Sequence, residues 1–155
     1  MTARTRVGAL VGELIAERAA FLAALDALGE VAEELPIVES WDGRDLVVHV
    51  AFWSDHGADA LELAGAGRGD HFTYDQRTTD AMNAEVTSAG HGLSLAEARK
   101  RETAAFERFR SALAELDDEL LDRRLGNGDA VEDVIRYDGP DHYAEHAAHL
   151  RMPHP

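Results

Sequence analysis

Apolar side chains recur every three or four residues over long stretches of this chain and nowhere alternate convincingly over a strand-length run, which confines it to helical architectures. From Thr2 to about Leu28 the stripe reads Val7, Leu10, Val11, Leu14, Ile15, Phe21, Leu22, Leu25 and Leu28, closed by Gly29. Glu17 and Arg18 stand where this stripe should continue. They are read either as a polar pair facing the interior or as an arginine whose stem packs while its head reaches solvent. Asp42-Gly43-Arg44-Asp45 supplies an N-cap acid and an N3 acid for a second helix, whose inward face is Leu46, His49, Val50, Trp53, Gly57, Ala60 and Leu61. Residues 65–79 carry three glycines and no stripe and are expected to be a loop long enough to line a site, followed by a short helix over Asp80 to Ser88. Ser94 and Glu97 predict a capping box ahead of a long helix through Ala98, Ala105, Phe106, Phe109, Leu113, Leu116 and Leu120, ended by Gly126-Asn127-Gly128. Residues 130–139 read as a connection, and Pro140 opens a last helix to about Met152. Four main helices predict an all-α four-helix bundle with long connecting loops, residues 1–155 forming a single domain.

Composition narrows the function. With 30 Asp+Glu against 15 Lys+Arg the formal charge is −15, which disfavours gripping nucleic-acid phosphates or anionic lipid. A 45% apolar content is enough for a core. No apolar stretch reaches the roughly 18 residues of a membrane span before charge interrupts it, and Met1 opens no secretory leader, so a cytoplasmic protein is expected. With no cysteine there is no disulfide, thiolate nucleophile or thiolate zinc site, and any metal must sit on His, Asp or Glu.

Histidine is where chemistry concentrates. His142 and His146, four apart on the last helix, stack on one face and can reach one cation. Adding His49 from the second helix makes a three-histidine face with open positions, as a catalytic divalent-metal site requires. Asp45, one turn before His49, is expected to cap the helix, to accept a hydrogen bond from that imidazole's other nitrogen, or both. His56 shares the face of His49 farther along, and His149 is a replacement or fourth ligand or a surface residue. His71, His91 and His154 have no partner at a useful spacing. Trp41 and Trp53 read as core anchors or as rings against which a substrate stacks. Nucleotide-cradling and serine-hydrolase motifs are absent from the sequence.

The run Trp41-Asp42-Gly43-Arg44-Asp45-Leu46-Val47-Val48-His49-Val50-Ala51-Phe52-Trp53 resembles the opening motif of the DinB-like superfamily. The segment His142-Tyr143-Ala144-Glu145-His146 resembles that of its last helix, and Asn83 an asparagine near the start of its third. The superfamily includes metal-dependent thiol S-transferases, mycothiol-dependent maleylpyruvate isomerases and colibactin self-protection proteins. The resemblance implies a metal triad of His49, His142 and His146, holding zinc or nickel, that activates a low-molecular-weight thiol, mycothiol or bacillithiol, toward an electrophilic small molecule. Asp45 and Asn83 are then candidate catalytic residues. Arg18 and Arg44, with the loop arginines Arg68 and Arg77, are candidate cofactor contacts. Alternatives are a non-enzymatic metabolite-binding or self-protection protein and an interaction module, and the width of the helical stripes also allows a homodimer.

Overall fold

The computed structural model describes residues 5–74, 76–90 and 92–153, without the side chains of residues 76–78 and 89. The described residues form six α-helices: α1 (Thr5–Leu28), α2 (Gly43–Gly65), α3 (Gln76–Gly90), α4 (Leu95–Ala114), α5 (Val131–Asp138) and α6 (Pro140–Arg151). Short 3-10 turns cover Gly29–Glu33, Gly69–His71 and Asp118–Leu120, and the β contacts among the described residues are two isolated bridges. The fold is all-α, as expected. No helix is long and apolar enough to cross a membrane among the described residues. His91 and His154 lie outside the described residues, as does the side chain of Arg77.

Of the predicted stripe, helix α1 buries Val7, Leu10, Leu14, Phe21 and Leu25, together with Ala24, and packs on α6, whereas Ile15 is exposed. Helix α2 packs on α4 and also meets α3 and α5, so it lies at the centre and is buried nearly all round over Leu46–Ala51. Its start is a complete capping box: Asp42 accepts from Asp45 N–H, and Asp45 accepts from Asp42 N–H. Ser94 caps α4 by accepting from Glu97 N–H at 3.1 Å.

Three boundaries differ from those expected. The helix after Ser94 stops at Ala114, and Leu116 reaches the core from the turn that follows. Residues 131–138 are a helix rather than a connection, burying Val131, Val134, Ile135 and Asp138. Its stripe was present at helical spacing but spans only two turns, too short for periodicity to separate it from a loop. Helix α3 is longer than its apolar content suggested, which shortens the preceding loop.

An ion pair ties three helices together in the interior. Arg18 on α1 donates through Nε and Nη2 to Glu102 on α4 at 2.7 and 2.9 Å, and Tyr143 on α6 donates its hydroxyl to Glu102 at 2.6 Å. Glu102 is fully buried. Arg18 therefore faces the interior, and its guanidinium also lies over the Phe106 ring at 4.2 Å. A second close approach uses Gly57 on α2. A Cβ there would overlap the Phe109 ring and meet the Asp138 Cβ at 3.0 Å, so the missing side chain is what lets α4 and α5 close on α2.

Removing one member of a buried ion pair strands its partner. Glu102→Gln is expected to cost about 3–5 kcal/mol in urea unfolding, and Tyr143→Phe, which leaves the pair intact, about 1.5–3 kcal/mol. Equal losses in the two variants would contradict the ion pair as the stronger restraint.

Candidate metal centre

The centre is built from two helices. On α2, His49 follows the buried run Leu46–Val48 and is itself 7% exposed, with the Trp41 ring 4.6 Å from its own. On α6, the one-turn spacing of His142 and His146 puts both rings on the same side, with centroids 4.6 Å apart. His142 Nε2 lies 2.9 Å from His49 Nε2 and 3.0 Å from His146 Nε2. Among the described residues this is the one group of three His, Asp or Glu side chains whose donor atoms converge, all within 4.8 Å of one another.

Burial holds these rings neutral. The His49 imidazole is pushed down to about 3 by desolvation and by the neighbouring His146. His146 is pushed down to about 4 by desolvation and by His149, and His142 is lowered by desolvation and by its two histidine neighbours. Three neutral imidazoles directed at one point compete for few protons, whereas a divalent cation about 2 Å from each satisfies all three lone pairs. An all-imidazole donor set suits zinc and nickel alike. The residues present therefore fit a metal.

The surroundings divide the remaining candidates. His149 lies behind the centre, its Nδ1 3.1 Å from His146 Nδ1, and so orients a ring rather than joining the converging group. The hydrogen bond expected from His49 to Asp45 is not made. His49 Nδ1 is buried without a partner, as is His142 Nδ1, and Asp45 serves the capping box instead. Those two rings are set by packing.

The centre opens on a cleft of about 940 Å³. Asn83 lines it and accepts from Trp53 Nε1 at 2.8 Å, so the indole is a wall of the cleft as well as a core residue at 6% exposure. Arg18 and Arg44 do not line it. Arg44 donates to Leu93 O and to Asp42, tying the start of α2 to the turn before α4. The described lining holds Asp129, Asp138, Asp141 and Glu145 and neither arginine nor lysine. Beside the cleft, Gly126 lets its turn approach the Asp70 carbonyl, with which a Cβ there would collide. His71 is exposed on its 3-10 turn.

Sequence reasoning passed over Asp138, Tyr74 and Phe72. They gather around His56 on the cleft wall, His56 Nδ1 lying 3.0 Å from Asp138 Oδ2. The partners are 82 residues apart in the chain, and although spacing puts His56 on the face of His49, nothing in spacing or composition marks Asp138.

Residues 11–151 match the family model described as the mycothiol maleylpyruvate isomerase N-terminal domain. No curated protein and no solved structure gave a match.

Because the folded-state values of the three histidines are depressed, the unfolded chain binds protons below about pH 6.5 that the folded, metal-stripped chain does not. Stability is therefore present above that pH and is lost as the pH falls toward the folded values of about 3 and 4. In urea titrations of chelator-treated protein between about pH 6.5 and 5, His49→Gln should flatten the decline, approaching about 1.4 kcal/mol per pH unit. An unchanged slope would show that His49 is not held neutral by the fold.

Proposed function

Because the chain belongs to the mycothiol maleylpyruvate isomerase N-terminal domain family, a DinB-like superfamily domain, we propose that it is a metal-dependent thiol S-transferase or isomerase acting on an electrophilic small molecule. We read its all-α fold as a single DinB-like four-helix bundle in which α1, α2, α4 and α6 are the main members. His49, His142 and His146 would hold zinc or nickel, and the convergence of their Nε2 atoms is the observation that carries the reading. When bound, such a cation supplies the charge that lowers the pKa of a small thiol, so that thiolate is available near neutral pH.

The chain's own residues set the conditions for that chemistry. Burial keeps the imidazole lone pairs free of protons, and the cleft gives a ligand access to the histidines from one side. The protein has no cysteine, so sulfur must arrive with the ligand, mycothiol or bacillithiol in this reading. Asn83 spends its carbonyl oxygen on Trp53 and lines the cleft, which favours it over the capping residue Asp45 as a working polar group. The described lining offers four carboxylates and no arginine or lysine, which favours a neutral or cationic ligand over a dianion.

The size of the cleft and its aromatic wall also support a second reading, a binding or self-protection protein that sequesters a metabolite without turnover. Elemental analysis and chelation separate the two. Purified protein loaded with zinc or nickel should hold one ion per chain, His146→Ala and His142→Ala should lower metal affinity at least about tenfold, and thiol transfer should stop in chelator. Protein that takes up no metal, yet binds a small molecule indifferently to chelator, would overturn the enzymatic reading in favour of the second.

A further inference from the structure

The three imidazoles of the centre are alike in direction and unlike in support. His49, His142 and His146 all turn Nε2 inward, so Nδ1 is the outer nitrogen of each ring. On His49 and His142 that nitrogen is buried without a partner. On His146 it meets His149 Nδ1 at 3.1 Å, with the ring centroids 5.2 Å apart and the planes tilted by 42°. The two residues stand three apart on α6, which makes their side chains neighbours on the helix surface. His146 is buried and His149 half-buried. The outer support that Asp45 does not give to His49 is thus available to His146, from a histidine rather than a carboxylate.

What a histidine does there follows from counting hydrogens. A neutral imidazole has one N–H and one lone pair, so a contact between two Nδ1 atoms holds only when one ring carries its hydrogen there and the other does not. Two arrangements satisfy it. If His149 donates, the hydrogen of His146 sits on Nε2 and points into the centre. If His146 donates, its Nε2 is bare, and the hydrogen of His149 sits on Nε2, away from the pair. Only the second leaves a lone pair for a cation held by His49, His142 and His146. An outer hydrogen bond from a ligating imidazole also strengthens its inner nitrogen as a donor and fixes the plane of the ring.

We propose that His149 is a positioning residue of the metal centre: its Nδ1 accepts a hydrogen bond from His146 Nδ1 and so holds His146 in the tautomer that presents a bare Nε2 to the cation. The inference rests on the metal-dependent reading above and deepens it. It also takes His149 out of the set of ligands without returning it to the surface, since its role is exercised through another ring. The centre is then asymmetric. His146 is the ligand whose tautomer is set from outside, while packing alone orients His49 and His142.

Two variants separate the hydrogen bond from mere packing. His149→Leu fills the space and offers no acceptor, whereas the Oδ1 of His149→Asn keeps one near the place of Nδ1. Zinc affinity is read on the full chain by competition with a chromophoric chelator. His149→Leu should bind zinc at least about tenfold more weakly than wild type, and His149→Asn should recover most of that loss. Long-range ¹H–¹⁵N spectra of the zinc-loaded wild type, which need no variant, should place hydrogen on His146 Nδ1 and on His149 Nε2. Hydrogen on His149 Nδ1, equal affinity in all three proteins, or an equal loss in the two variants would overturn the proposal. Zinc uptake that is indifferent to residue 149 leaves the metal-dependent reading standing and removes this inference alone, whereas a wild type that takes up no zinc removes both.

Discussion

A carboxylate with no exposure to solvent is the point about which the helices are set. Glu102 could not remain ionised in the interior alone, and Arg18 from α1 and Tyr143 from α6 satisfy it from two sides. The three groups come from three helices, so their hydrogen bonds fix rotation as well as separation, which apolar contact alone does loosely. This matters most for α6. Tyr143, Ala147 and Leu150 are buried in the core, and once Tyr143 is held by Glu102 the helical repeat turns His142 and His146 toward His49 on α2. The geometry of the metal centre thus depends on an ion pair that is no part of it.

The cost of the centre can be read from its own atoms. His49 Nδ1 and His142 Nδ1 are buried without partners, and burial works against protonating the rings. Without an ion the arrangement holds three polar rings out of water with few compensating bonds, which is destabilising. Such a conflict between stability and local geometry is characteristic of sites kept for function. The His146 and His149 contact relieves it on one side only.

Much of this was legible in the sequence, and the limits have identifiable physical causes. Periodicity located α1, α2 and α4 because each presents at least three turns of stripe to one core, and α6 was marked by Pro140 at its first turn. It failed for α5, whose two turns are indistinguishable from a loop with a few apolar residues. His49, His142 and His146 were legible because two share a one-turn spacing and the third sits on an apolar face. Arg18 was legible as an anomaly in a stripe, while its partner Glu102 was not, since one acid in a helix with several looks like surface. Asp45 illustrates a different limit. Spacing placed it within reach of His49, yet the same carboxylate was also wanted by the helix terminus, and only the structure shows which demand prevailed.

The placement of His56 follows from the same regularity that built the metal centre. A helix repeats its face about every seven residues, so a single buried helix offers stations along one wall at intervals of on the order of 10 Å. Helix α2 uses the first for His49, the next for His56, and the turn between them for Trp53. Each station is completed from a different element: α6 supplies His142 and His146, α3 supplies Asn83 to Trp53, and α5 supplies Asp138 to His56. Gly57 lets α5 come close enough to serve the last of these, so a residue chosen for having no side chain determines where a polar group stands in the cleft. The cleft is in this sense one face of α2, and the other helices are arranged to give each of its side chains a partner.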